Sequence, residues 1–271
     1  MGKYIQCIIN TTDEVAIALL SEFDFESFEE KDDHTLAYIS SASFEIEKTG
    51  INELLDKMNL TYQWTPLEDQ NWNEVWESNF EPVCIENICR IRAEFHSEDI
   101  TFRHEIVIQP KMAFGTGHHQ TTYSMIKKMN EIDFMSKSVF DYGCGTGVLA
   151  IFASMLGAAS IDAVDIEEES YLNTIENAIR NNIKNIHAFQ GTIDVVKDRL
   201  YDIILANINR NVLLDSVHDI YKLLHNKGVL LISGILSQDL PIIRESYENE
   251  GMIYYDHIEK ENWLCVKFLK K

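Results

Sequence analysis

The stretch Val139-Phe-Asp-Tyr-Gly-Cys-Gly-Thr-Gly147 constrains this chain more than any other. Val139 and Phe140 begin an apolar run that ends in Asp141, crosses glycines 143, 145 and 147, and enters an apolar, helix-like segment from Val148 to Leu156. A buried strand that turns through glycines into a helix aims backbone N–H groups, and the positive end of the helix dipole, at whatever lies above the turn. The glycines let that ligand approach the backbone, because no Cβ intervenes. This is a nucleotide-shaped site. Dinucleotide turns read G-x-G-x-x-G, whereas here the third glycine comes one residue sooner and Val148 takes the dinucleotide position. Further on, Ser160-Ile-Asp-Ala-Val-Asp165 reads as a short strand ending in an acid, 18 residues after Gly147. A carboxylate at that place, Asp165, can accept both hydroxyls of a ribose. Asp162 falls within the strand and is the weaker candidate.

Totals narrow the partners. A chain of 271 residues that is 45% apolar suits one large globular domain or two smaller ones. No run approaches the roughly 20 apolar residues of a membrane helix, and the first residues lack a signal-peptide core, so the expectation is a cytoplasmic protein without a membrane partner. Five scattered cysteines suggest free thiols in a reducing compartment. Cys84-x4-Cys89 has no second pair, and His118-His119 has no further ligand at metal spacing, so no metal is expected. The 23 basic against 44 acidic side chains, net −21, repel nucleic acid and favour a basic protein partner.

In chain order, residues 1–66 read as a small module of alternating strands and helices, β-α-β-β-α-β, the ferredoxin-like order. Its helices are expected after Thr11-Thr12-Asp13 and over Ile46 to Met58. This module carries no evident chemistry, so recognition is its expected use. Residues 67–81 form a linker helix, with Trp72, Trp76 and Phe80 at i, i+4 and i+8. Residues 82–271 form the second domain, opening with short strands between Pro82 and Pro110. The loop Met112 to Thr122 then leads into a helix, Tyr123 to Phe134, and on to the glycine-turn strand. That places Phe114 over the pocket, with Thr121 or Thr122 capping the helix and facing the ligand. Alternating strands and helices after Asp165, including one helix over Asn211 to Leu224 and a closing pair of strands, imply a parallel sheet with an antiparallel edge.

The pattern D-x-G-x-G-x-G resembles motif I of the S-adenosylmethionine-dependent methyltransferases. More specifically, Ala113-Phe-Gly-Thr-Gly with His119 and Thr121-Thr122, then Asp141-Tyr-Gly-Cys-Gly-Thr-Gly, Asp165-Ile, Asn207-Ile and Ser233-Gly-Ile-Leu resemble the bacterial ribosomal protein L eleven methyltransferase (PrmA-type) family over nearly the whole chain. The chain departs from that pattern at Gln109-Pro110-Lys111, Gln120 and Ile208-Asn209-Arg210. The resemblance implies an α/β fold, a seven-stranded Rossmann-like methyltransferase domain preceded by a ferredoxin-like α+β domain. It implies S-adenosylmethionine as cofactor, held by Thr122, Gly143, Asp165 and Asn207. Phe114 and Gly145 join them from the reading of the loop and the turn. Asn207, at a strand end, is the candidate catalytic residue beside the reacting methyl. The implied activity is N-methylation of lysine ε-amino and of α-amino groups of ribosomal protein L eleven. The alternatives are a lysine methyltransferase acting on another protein or a nucleobase amine, and a non-catalytic, ribosome-associated module that binds the same cofactor.

Overall fold

The computed structural model describes residues 4–21, 23–31, 33–67, 81–109 and 120–271. The expected linker helix with Trp72, Trp76 and Phe80, and the loop with Phe114, His118 and His119, lie outside the described residues. The chain divides into two compact units, Met1–Asn79 and Phe80–Lys271. No helix among the described residues is long and apolar enough to cross a membrane.

The first unit is a four-stranded antiparallel sheet in the order β2-β3-β1-β4, from β1 (Tyr4–Ile9), β2 (Phe25–Glu30), β3 (Thr35–Ser40) and β4 (Tyr62–Leu67). Alternation along β1 and β3 turns Ile5, Cys7, Ile9, Ala37 and Ile39 into one core with Phe44, Ile51 and Leu55 of the helix Ser41–Lys57. That helix starts five residues earlier than expected. Its first turn holds one apolar anchor, Phe44, and the Ser40 hydroxyl caps it by accepting the Ser43 N–H at 3.0 Å.

The second unit opens with a three-stranded sheet of β5 (Val83–Ile85), β6 (Cys89–Ala93) and β7 (His104–Ile108). The main sheet has seven strands in the order β10-β9-β8-β11-β12-β14-β13. These are β8 (Ser138–Tyr142), β9 (Ser160–Asp165), β10 (Ile186–Gln190), β11 (Tyr201–Asn207), β12 (Leu224–Leu236), β13 (Met252–Lys260) and β14 (Trp263–Lys270). β8 through β12 pair in parallel, and β14 is antiparallel to both its neighbours. The central strands read as continuous apolar runs because helices cover both faces. The helix Val148–Met155 is apolar all round and is buried from Val148 through Ala153.

Two expectations need correction. The helix after β11 is two helices, Arg210–Asp215 and Val217–Leu223, parted at Ser216. At the break the buried Tyr247 hydroxyl donates at 3.0 Å to the Leu213 carbonyl, the acceptor that a continuous helix would offer the Val217 N–H. The helix expected from Tyr123 runs over Gln120–Met129. Thr121 and Thr122 are therefore inside it, both buried, and neither takes the capping position.

Candidate functional site

Strand order reverses at β8: β9 and β10 lie on one side, β11 and β12 on the other. In an open α/β sheet the crevice outside the carboxyl ends of the strands, at such a reversal, is where ligands bind. The glycine turn closes one wall of this crevice, and Asn207, ending β11, stands on the other. Register places Ala206 opposite Tyr142 and Asn207 opposite Ser233.

The turn depends on glycine. Gly143, Gly145 and Gly147 have φ of 75°, 54° and 78°, a region other residues rarely adopt. The N–H groups of Gly143 and Cys144 both donate to the Val164 carbonyl, at 2.8 and 3.1 Å, which ties the turn to the end of β9. A Cβ on Gly143 would lie 2.2 Å from Cγ2 of Ile208, so the residue after Asn207 packs directly on the turn.

Asp165 sits at the β9 end as expected, yet its carboxylate is not idle. Oδ2 accepts the Gly145 N–H at 2.9 Å and Oδ1 accepts the Glu167 N–H at 3.0 Å. Each oxygen keeps a further lone pair for a ligand hydroxyl. Asp162 is buried, and its Oδ2 accepts from the exposed Arg199 at 2.5 Å and from the buried Tyr201 hydroxyl at 2.6 Å, a structural arrangement.

Asp141 is fully buried beneath the turn. Gly147, at the helix N-cap, offers no side chain, and Asp141 Oδ2 takes over by accepting the Ala150 N–H at 3.0 Å. Its Oδ1 is buried with no hydrogen-bond partner among the described residues. Burial pushes this carboxyl up to about 7; the Ala150 N–H works against that rise, and the nearby Asp165 carboxylate adds to it. A carboxyl raised on folding binds its proton more tightly in the native state, so stability is lost as pH climbs from the unfolded value near 4 through 7. Asp141→Asn keeps an acceptor for Ala150 and removes the ionisation, but places an NH2 where Oδ1 had no partner. The variant is expected to equal or fall slightly below the parent in stability at pH 5. At pH 8.5 it should exceed the parent by about 1–3 kcal/mol. Thermal melts of both proteins across that range check the crossing, and parallel curves would refute it.

Asn207 is half-buried, and its carboxamide makes no hydrogen bond among the described residues. Its surroundings are nonetheless fixed. Asn209 Oδ1 caps the next helix by accepting the Val212 N–H at 3.1 Å, and Arg210 donates to Asp239 at 2.8 Å. Those two residues are among the chain's departures from the family pattern, and both have defined partners. Thr122 reaches the same end of the sheet by way of its helix. Its neighbour Tyr123 lies under the Lys260 ammonium, 3.6 Å from the ring centre, and Lys260 pairs with Trp263, itself opposite Leu236 at the end of β12. The structure thus brings together Gly143, Gly145, Asp165 and Asn207, and sets Thr122 at the same sheet end without a hydrogen bond to the turn.

Sequence reasoning quoted Gly234 only as part of Ser233-Gly-Ile-Leu, with no role, and missed a polar stripe on the helix Glu168–Arg180. Gly234 has φ of 87°, and a Cβ there would meet the Ile208 carbonyl oxygen at 2.2 Å. The stripe comprises Asn173, Thr174 and Asn177, all fully buried, and its sequence signal was polar residues at i, i+1 and i+4. The Thr174 hydroxyl donates to the Gly145 carbonyl at 3.0 Å, and Asn177 Nδ2 donates to the Thr146 carbonyl at 2.9 Å.

Comparison with known proteins gives a consistent result. A family model described as ribosomal protein L11 methyltransferase (PrmA) matches residues 9–271. A ribosomal protein L11 methyltransferase of Phocaeicola vulgatus is 41% identical over 266 residues, covering 96% of this chain and 95% of that protein. One from Bacteroides thetaiotaomicron is 40% identical over 263 residues, covering 95% and 94%. The crystal structure of a ribosomal protein L11 methylase from Lactobacillus delbrueckii subsp. bulgaricus superposes with a TM-score of 0.66 at 28% identity, over 71% of this chain and 100% of that one.

Proposed function

From the premise that this chain belongs to the ribosomal protein L11 methyltransferase family, we infer that its switch-point crevice binds S-adenosylmethionine and presents it to an amine of ribosomal protein L11. The protein is an S-adenosylmethionine-dependent methyltransferase. The observation that carries the site assignment is the meeting, at one strand-order reversal, of the positive-φ glycine turn, the Asp165 carboxylate and Asn207 at the end of β11.

The residues present fit such a cofactor. Gly143 and Gly145 put no Cβ on the turn at those two positions, and Asp165 keeps lone pairs for ribose hydroxyls. Thr122 and Phe114 complete the proposed set, Thr122 from the helix end and Phe114 from the loop. When bound, the cofactor supplies a methyl group that its sulfonium makes electrophilic. What the chain adds is alignment and an amine without its proton. A lysine of ordinary pKa near 10.4 is only about 0.04% neutral at pH 7, a penalty of roughly 4.6 kcal/mol. A crevice that removes the amine from water lowers that pKa and recovers part of the penalty. The Asn207 carboxamide oxygen accepts an amine N–H and so directs the nitrogen lone pair. No covalent intermediate with the protein is needed.

The net charge of −21 suits a basic substrate. We assign the first unit, whose strand order and two helices follow the ferredoxin-like arrangement, to recognition of that substrate. The lysine ε-amino group is the proposed principal target, with the α-amino group second, and the cytoplasm is the proposed place of action. Incubation with tritium-labelled S-adenosylmethionine and separated ribosomal proteins tests this. Label on L11 supports it; label confined to another protein or to RNA, or tight binding without transfer, contradicts it. Asp165→Ala is expected to weaken cofactor binding by about 1.5–3 kcal/mol through loss of charge-assisted hydrogen bonds. Calorimetry reads this directly, and an unchanged affinity would remove Asp165 from the ribose.

A further inference from the structure

The polar stripe on the helix Glu168–Arg180 is placed where apolar side chains would pack more simply. Asn177 is fully buried and spends its whole carboxamide on two distant backbone segments and a neighbour. Its Oδ1 accepts the Gln109 N–H at 2.8 Å, and its Nδ2 donates to the Thr146 carbonyl at 2.9 Å and to Asn173 Oδ1 at 3.1 Å. Gln109 directly follows β7, and Thr146 lies in the glycine turn. One turn further along, Asn181 makes a second tie to the same strand. Its Oδ1 accepts the Val107 N–H at 2.9 Å, and its Nδ2 donates to the Val107 carbonyl at 2.7 Å. Asn181 has no hydrogen bond to the glycine turn among the described residues. Asn173 Nδ2 is buried without a hydrogen-bond partner among the described residues. A buried amide donor left open carries a desolvation cost.

We propose that Asn177 is a positioning residue for the cofactor site, joining the glycine turn to the end of β7 so that ligand in the crevice also fixes the Gln109 backbone. This rests on the reading of the crevice as an S-adenosylmethionine site. The same helix follows β9, so the ribose acid Asp165 lies just before its start and the β7 ties lie at its far end. Binding that steadies the turn steadies the Thr146 carbonyl, and through one rigid carboxamide the Gln109 N–H. Such a link is a coupling free energy between two places, and it acts in both directions.

The test uses the full chain, unlabelled S-adenosylmethionine, calorimetry, and amide hydrogen exchange at Gln109 followed by nuclear magnetic resonance. In the parent, the cofactor should slow Gln109 exchange. Asn177→Ala should bind cofactor about tenfold more weakly, and its Gln109 exchange should no longer respond. Asn181→Ala, which loses a tie to β7 but none to the turn, should keep its affinity within about threefold. Equal losses in the two variants, or an unchanged affinity in Asn177→Ala, would overturn the proposal. If Asn177→Ala does not fold, the parent still decides: Gln109 exchange indifferent to bound cofactor refutes the link. A parent that binds no cofactor refutes the crevice assignment itself, a separate and recognisable failure.

Discussion

Replacing Asn207 by alanine is expected to lower kcat by about 100- to 1,000-fold, the usual consequence of removing one preorganised polar group beside a reacting centre. Cofactor affinity should change far less, because the turn and Asp165 remain. Asn207 ends the strand on one side of the reversal, its carboxamide has no competing partner among the described residues, and its neighbours hold it in place. A side chain kept without a partner at that position is available to an incoming amine. Asn207→Asp would put a full charge beside a group that must lose its proton. An anion favours the protonated amine, so that variant should be at least as impaired. Steady-state kinetics with L11 as substrate, alongside calorimetry with cofactor, separates the two readings of this residue. A large loss of affinity with kcat nearly intact would make Asn207 a cofactor contact only.

Gly234→Ala should be nearly as damaging, although Gly234 contacts no substrate in this account. The added Cβ would lie 2.2 Å from the Ile208 carbonyl oxygen and 2.8 Å from its carbon, and both are backbone atoms that cannot swing aside. The φ of 87° adds a conformational cost of about 1–2 kcal/mol for any side chain. Together these are expected to cost about 3–5 kcal/mol of stability. What folds should also be slow, since relief of the contact requires Ile208 to move and Asn207 precedes it in the chain. Ile208 cannot retreat freely, because its Cγ2 already rests on Gly143. Denaturant unfolding and kcat at a temperature well below the midpoint measure the two effects. A stable variant with parental kcat would show that the β11 end tolerates displacement.

Much of this was legible in the sequence, for a physical reason. The strand-to-helix glycine turn, the acid ending the next strand and the asparagine ending β11 are short-range patterns, and each is set by residues adjacent in the chain. Topology then brings them to one crevice with little freedom, since parallel strands joined by helices must present their carboxyl ends together. What stayed hidden depends on partners far along the chain. The two helices part at Ser216, where the Leu213 carbonyl accepts from Tyr247, 34 residues further along the chain. The start of the Ser41–Lys57 helix rests on Phe44 reaching the sheet core, where the apolar spacing alone pointed to Ile46. For Asp141 the sequence shows only an acid placed before the first glycine. The structure gives one oxygen to the Ala150 N–H and leaves the other open. The buried asparagines of the stripe look in sequence like a solvated helix face. Only the approach of β7 and the glycine turn from two sides shows them as interior.

The central claim is that one crevice, between the glycine turn and the end of β11, holds a sulfonium donor next to an uncharged nitrogen. The most direct test is a crystal structure of the protein with S-adenosylmethionine or its demethylated product and a lysine peptide from L11. The account predicts the ribose on Asp165, the turn glycines against the ligand backbone, and the sulfur end facing Asn207 with the lysine nitrogen beside it. A ligand seated elsewhere on the sheet, or a cofactor whose sulfur end turns away from Asn207, would contradict it.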